Sequence, residues 1–234
     1  KDMNKKLKNL CKWLLAKQIS FNPAKTETII FRHKHTKKPE GVRIAINGFR
    51  LYPCNVILYL GILLDEFLSF YQHVSHIAAK LVKVNNMLAI CRHVVPLDTL
   101  IIIYNTLFLP HLTYGCQIWG LHKSSIQKLV ALQKKAVRIM TFADYNADTG
   151  PIFRLLNLLK FTDYIYIQNC LLVHDIYHQK IPPVLESLIS FFNHVHTHNT
   201  RGASVASASL PIVQTSKFGR ASVKFHFSSS WNTL

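Results

Sequence analysis

Val42-Arg43-Ile44-Ala45-Ile46-Asn47-Gly48-Phe49-Arg50-Leu51-Tyr52 decides how the front of this chain folds. Val42, Ile44 and Ile46 alternate with Arg43 and Ala45, the two-residue period of a strand with one covered face. Asn47-Gly48 supplies the two positive φ angles of a type I′ turn, so the stretch reads as a β-hairpin. On the N-terminal side, Thr26 to Phe31 is β-prone, and a basic loop runs from Arg32 to Lys38. Further upstream, Met3, Leu7, Leu10 and Leu14 recur at helical spacing among Lys5, Lys6, Lys8 and Lys12, an amphipathic helix with a basic outer face that stops near Lys17. On the C-terminal side, Val56 to Leu64 is another strand-like run, kinked or tightly packed at Gly61.

After Asp65 the period changes. Phe70, Val74, Ile77, Leu81, Val84, Leu88 and Cys91 recur at four and three residues, with His73, His76, Lys80, Lys83 and Arg92 on the polar side. Pro96 and Asp98 suit the first turn of a further helix running to about Leu109, because proline needs no donor there and a carboxylate favours the positive helix end. Pro110 starts a shorter apolar segment, His111 to Trp119. Ser124 to Thr141 is helical, with Ile126, Leu129, Leu132, Ala136 and Ile139 inward and Lys128, Lys134, Lys135 and Arg138 outward. Helices are expected over about Pro151–Leu159 and Thr162–His178, with a short one through Phe192 after Pro182-Pro183. From His194 the Ser-, Thr-, Ala- and His-rich remainder reads as irregular. The class is α+β: a small antiparallel sheet followed by a helical bundle.

Composition sets the chemistry. The 234 residues carry 28 Lys and Arg against 11 Asp and Glu, a formal net charge of +17, with 49% hydrophobic residues. That mixture is globular, and its charge calls for an anionic partner: nucleic acid first, an anionic membrane surface second. The five cysteines are scattered without zinc-site spacing, which reads as reduced thiols and a cytoplasmic or nuclear setting. No stretch has the length and apolarity of a membrane span, and the start at Lys1 without a signal-type segment leads us to expect a fragment that begins inside a larger protein.

A series of short motifs, in order along nearly the whole chain, resembles the region downstream of the active site in reverse transcriptases of non-LTR (LINE-type) retrotransposons. It comprises Leu10-Cys11-Lys12-Trp13-Leu14, Asn22-Pro23-Ala24-Lys25-Thr26, Tyr59-Leu60-Gly61-Ile62-Leu63-Leu64-Asp65 and His73-Val74-Ser75-His76-Ile77. It continues with Leu109-Pro110-His111-Leu112-Thr113-Tyr114-Gly115, Trp119-Gly120, Leu132-Gln133-Lys134-Lys135-Ala136-Val137-Arg138, Thr200-Arg201 and Trp231-Asn232. The resemblance implies the end of a polymerase palm with a primer-grip-like hairpin over 1–66, a thumb-like helical domain over 67–142, further helices over 143–193 and a trailing segment over 194–234. It implies an RNA template and a DNA primer as partners, together with the rest of the polymerase chain and no membrane. A thumb holds a duplex by its backbone, which needs cations on rigid helices, and Lys80, Lys83, Arg92, Lys128, Lys134, Lys135 and Arg138 are the candidates. The bland alternative is that they are solvated faces of core helices. Tyr59, Leu60 and Gly61 match the primer grip, with a packed, bulged strand as the alternative; Lys25 matches a lysine near the leaving phosphates, with a strand-edge lysine as the alternative.

Phosphoryl transfer in such enzymes uses magnesium ions held by aspartates, including a paired Asp-Asp, and this sequence has no Asp-Asp dipeptide. The expectation is therefore a piece of an RNA-directed DNA polymerase that is inactive alone, with no cofactor of its own and Mg2+ belonging to the full-length enzyme. Asp65-Glu66 is the only adjacent acidic pair, and Phe142-Ala143-Asp144-Tyr145 imitates the aromatic-Ala-Asp-Asp motif with Tyr in the last place; neither reads as catalytic. His174 with His178, and His194, His196 and His198, read as surface or packing histidines rather than metal ligands. Two other classes stay open: a stand-alone basic nucleic-acid-binding protein derived from such an element, and a helical structural or interaction protein.

Overall fold

The computed structural model describes residues 2–39, 41–121, 123–191, 207–213 and 222–233. The chain divides into two compact units, Lys1–His73 and Val74–Leu234.

The first unit begins with α1 (Asp2–Ala16). Its packed side is Leu7, Cys11 and Leu14, while Met3 and Leu10 are exposed, so the apolar series read from the sequence is rotated. Asn4 explains the rotation: its amide donates to the Arg43 carbonyl (2.9 Å) and accepts from Ala45 N–H (3.3 Å), tying the helix to an open strand edge. Cys11 packs with Ile46 and Leu51 in a small core that Leu7, Phe21 and Ile44 extend.

After a short 3-10 turn (Pro23–Lys25) come six short strands, β1 (Thr28–Ile29), β2 (Ile44–Ile46), β3 (Phe49–Leu51), β4 (Pro53–Cys54), β5 (Val56–Tyr59) and β6 (Ile62–Asp65). They do not make the single antiparallel sheet expected; they form three two-stranded ladders. β2 and β3 are the hairpin read from the sequence, with Ile46 opposite Phe49 and positive φ at Asn47 (49°) and Gly48 (82°). β1 pairs with β4 in parallel, Thr28 opposite Pro53, and Pro53 lacks the N–H that would carry the ladder further. Val56 to Leu64 is not one kinked strand. Leu60 (φ 46°) and Gly61 (φ 80°) form a second two-residue turn, pairing Tyr59 with Ile62.

The exit from β6 is organised by a buried carboxylate. Asp65 accepts from the backbone N–H groups of Phe67 (3.0 Å), Ser69 (3.2 Å) and Phe70 (2.9 Å) and from the Ser69 hydroxyl (3.0 Å). These bonds hold Leu68 and Phe70 at positive φ, which no glycine is present to ease. Glu66 takes both arms of the Arg32 guanidinium, Nε at 2.9 Å and Nη2 at 3.0 Å, and Arg32 also lies 4.7 Å over the Phe67 ring.

The second unit is helical: α2 (Tyr71–Cys91, which the unit boundary divides in its first turn), α3 (Leu97–Ile103), α4 (Leu109–Thr113), α5 (Cys116–Trp119), α6 (Lys123–Met140), α7 (Thr149–Leu155), α8 (Phe161–Tyr177), α9 (Pro183–Glu186) and α10 (Val223–Trp231). The helix expected to run to Leu109 widens after Ile103 into a π turn (Tyr104–Phe108), where Leu109 N–H reaches back to the Tyr104 carbonyl. Pro110, which has no N–H, sits in the first turn of the helix that follows. Gly115 (φ 62°) then reverses the chain into α5. At Gly120 a side chain has no room: a Cβ there would stand 2.5 Å from the Cys116 carbonyl oxygen and 2.9 Å from Ile165 Cδ1.

Gln133 is the polar centre of this unit. It is 1% exposed; its amide nitrogen donates to the Tyr104 hydroxyl (2.8 Å) and the Leu159 carbonyl (3.0 Å), and its oxygen accepts from Phe161 N–H (2.8 Å). One side chain thus joins α6 to the π turn, to the connection before α8 and to the first N–H of α8, whose capping residue Lys160 offers no side-chain bond. Burial pushes the Tyr104 hydroxyl up to about 12, against an opposing effect of the Gln133 hydrogen bond, so the phenol stays neutral. Ile126, Leu129, Ala136, Val137 and Met140 are buried with Gln133, and Trp119 lies 5.7 Å from Phe161 in the same interior.

Within 194–234, read from the sequence as irregular, residues 223–231 are helical and fold back onto α8. Phe227 and Ala208 join Val173, Ile176, Ile189 and Phe191 in one cluster, with Trp231 and Tyr177 packed against it. Asn232 clamps Ala208 like a strand partner, accepting from its N–H and donating to its carbonyl, both at 2.8 Å. Thr200-Arg201 lies outside the described residues.

Gln133→Leu keeps the volume but leaves Phe161 N–H and the Leu159 carbonyl without their partner. Chemical denaturation should show a loss of about 3 kcal/mol. Hydrogen bonding from Arg32 holds the Glu66 carboxyl below its ordinary value. Its contribution to stability is therefore present above the ordinary carboxylate range and is lost as pH falls through the depressed value. Urea midpoints measured against pH should fall on acidification, and the Glu66→Gln variant should start lower and show a shallower fall.

Candidate nucleic-acid interface

Five of the cations singled out in the sequence come together. Arg92, in the turn that follows α2, and Lys128, Lys134, Lys135 and Arg138, from α6, line one open hollow of about 460 Å³ together with Ala131, Leu132, Ile139, Ala143 and Tyr145. The local reason is the rotation of α6. Because Gln133 rather than Leu132 is the interior residue, the buried face runs through Ile126, Leu129, Gln133, Ala136 and Met140. Positions 128, 131, 135 and 138, spaced by three, four and three, then face outward as one stripe. Leu132 and Ile139, expected inside, are part-exposed and form the apolar floor of the hollow.

The cations differ in freedom. Arg138 is committed: its Nε (3.0 Å) and Nη2 (2.8 Å) both donate to the Ala147 carbonyl, closing the loop after α6. Arg92 is braced, with its guanidinium 4.6 Å over the Phe142 ring and its Nε donating to His93 Nε2 (3.2 Å). Lys128, Lys134 and Lys135 are exposed. Among the described residues five cations and no carboxylate line the hollow, with the exposed Asp144 beside it in sequence between Ala143 and Tyr145, so its lining is predominantly positive.

The other candidates lie elsewhere. Lys80 and Lys83 are exposed on α2 outside the lining. The part-buried His111 is held below its ordinary value by burial first, then by Lys80 and His76, which favours its neutral form. Lys25, at the end of the 3-10 turn, and Tyr59, Leu60 and Gly61, at the tip of the β5–β6 hairpin, belong to the first unit. Tyr59 and Leu60 are 59% and 72% exposed, so neither is core; Gly61 is required by its positive φ rather than by a bulge.

The acidic pair is engaged within the fold. Asp65 is occupied by four donors of its own loop and Glu66 by Arg32. Among the described residues no group of three His, Cys, Asp or Glu is placed to hold a metal ion. The rings of His174 and His178 lie 4.3 Å apart at a tilt of 52°, with His174 Nδ1 3.4 Å from Asp175; His194, His196 and His198 lie outside the described residues. The cysteines described are free thiols, and burial pushes that of Cys116 up to about 11. Among the described residues no helix is long and apolar enough to cross a membrane.

Sequence reasoning missed Tyr145. It was read only as the residue that spoils an imitation of a catalytic motif, yet it is 83% exposed at the rim of the cationic hollow. An aromatic in the short loop that follows a basic helix, five residues past its end, was the available signal.

No protein-family model matches the chain, and no solved structure matches it. Curated relatives do. The chain is 31% identical over 157 residues to a protein described as a probable RNA-directed DNA polymerase from transposon X-element of Drosophila melanogaster, which is 65% of this chain and 17% of that protein. It is 28% identical over 158 residues to the RNA-directed DNA polymerase from mobile element jockey of Drosophila funebris, and 30% identical over 156 residues to the jockey protein of Drosophila melanogaster. In each case the match spans 17% of the relative's own length. The chain is therefore a sequence relative of the RNA-directed DNA polymerases of non-LTR (LINE-type) transposons, the family its ordered motifs resemble.

Proposed function

We propose that this chain is a thumb-bearing part of such a polymerase and that it grips a primer–template duplex by its phosphate backbone. The observation that carries the reading is the convergence of Arg92, Lys128, Lys134, Lys135 and Arg138 on one hollow, with no carboxylate among the described residues of its lining. Gripping without reading sequence requires point charges on a rigid support, and α6 is held rigidly by the buried Gln133 network on its opposite face. In this reading the first unit is the end of the palm, with Tyr59, Leu60 and Gly61 as the primer-grip hairpin. An exposed two-residue turn lets the backbone approach a strand end closely. Lys25 is the counterpart of the lysine that meets the leaving phosphates.

Strand synthesis belongs to the whole polymerase. Asp65 and Glu66 are committed to the fold, and the sequence has no Asp-Asp pair, so the metal-binding carboxylates would come from other parts of the enzyme. The RNA template, the DNA primer and the remaining polymerase chain are the partners in this reading.

Binding of a DNA–RNA duplex, followed by anisotropy across a salt series, tests it. About five phosphate contacts should give a log–log slope of about −4 to −5. The triple variant Lys128→Ala/Lys134→Ala/Lys135→Ala should bind every duplex more weakly, independent of sequence, with the slope reduced by about 3. Arg138 is left intact because it holds the Ala147 carbonyl. A wild-type affinity indifferent to salt would remove the mechanism.

A further inference from the structure

The loop after α6 gives the hollow a feature that a backbone grip does not use. Phe142, at φ 55°, has one face occupied by the Arg92 guanidinium at 4.6 Å and His93 edge-on at 5.4 Å. The chain is then tied at both ends: Ala143 N–H donates to the Arg138 carbonyl (3.0 Å), Ala147 N–H to the Asp144 carbonyl (3.0 Å), and Arg138 to the Ala147 carbonyl. Between those ties Tyr145 is 83% exposed and lines the hollow together with the apolar Leu132 and Ile139 and the five cations. Tyr145 thus puts an exposed aromatic side chain on the same hollow as the exposed Lys128, Lys134 and Lys135.

Within a duplex the faces of the internal bases are covered by the stack, and the outside is the charged backbone and the grooves. An unpaired nucleotide offers both a base face and a phosphate. The hollow, at about 460 Å³, lies within the range of roughly 300–1,000 Å³ that small-ligand sites occupy. We propose that it takes one unpaired nucleotide of a single-stranded segment next to the duplex, with the base stacked on Tyr145 and the phosphate held by Lys128, Lys134 or Lys135. This inference rests on the nucleic-acid role proposed above and adds to it a site for single strand.

The test compares the full chain on a blunt DNA–RNA duplex and on the same duplex with a short single-stranded overhang, for wild type, Tyr145→Ala and Tyr145→Phe. Wild type should prefer the overhang. Tyr145→Ala should lose about tenfold in affinity for the overhang substrate and little for the blunt one, and Tyr145→Phe should keep the preference. Equal wild-type affinity for the two substrates overturns the inference and leaves the duplex grip standing, as does a Tyr145→Ala variant that weakens both equally or neither. A wild-type chain that binds neither substrate overturns the inference and the grip together.

Discussion

A single buried amide sets the geometry of the helical unit. Gln133 has three hydrogen-bond partners on three different segments, and an amide so enclosed cannot be moved to the surface without abandoning all of them. It therefore fixes the rotation of α6 about its own axis. With Gln133 inward, Lys128, Lys134 and Lys135 point outward, and the cationic hollow follows from the same constraint that closes the core. Stability and the candidate site are two faces of one helix.

That constraint also marks where sequence reading stopped. The Asn47-Gly48 hairpin, the long helix after Asp65, the start of α3 at Pro96 and the extents of α6 and α8 were legible, because turn chemistry and helical periodicity are local. Orientation was less so. Counting apolar residues put Leu132 inside α6, Val84 inside α2 and Met3 with Leu10 against the strands. In the fold Gln133 and Asn85 are buried and Asn4 faces the strands. An amide becomes an interior residue only when distant backbone groups satisfy it, as the Leu132 carbonyl does for Asn85 at 3.1 Å, and no local pattern announces that partner. The same holds for Asn232, whose match to Ala208 gives the trailing segment an anchor that composition could not suggest.

The candidate site was legible as a set of residues but not as a place. The basic residues of α2 and α6 were named from charge and spacing, yet only Arg92 of the α2 group reaches the hollow, while Lys80 and Lys83 lie outside its lining. Tyr145 was passed over because its motif was weighed only against catalysis. The Tyr59–Gly61 run was legible as a special glycine, but its meaning, a second tight turn, depends on the pairing of Tyr59 with Ile62. The acidic pair Asp65-Glu66 was legible as a pair, but its partners in the fold, the loop donors and Arg32, were not.

In the proposed grip, nucleic acid touches this chain at the lysines of α6. With a net charge of +17, some binding to any polyanion is expected, and affinity alone does not locate it. Lysine reactivity does. Amine labelling of the full chain, followed residue by residue with and without a DNA–RNA duplex, should show Lys128, Lys134 and Lys135 protected together in the complex. Protection confined to the exposed lysines of α1, with those three as reactive as in the free protein, would contradict the central claim.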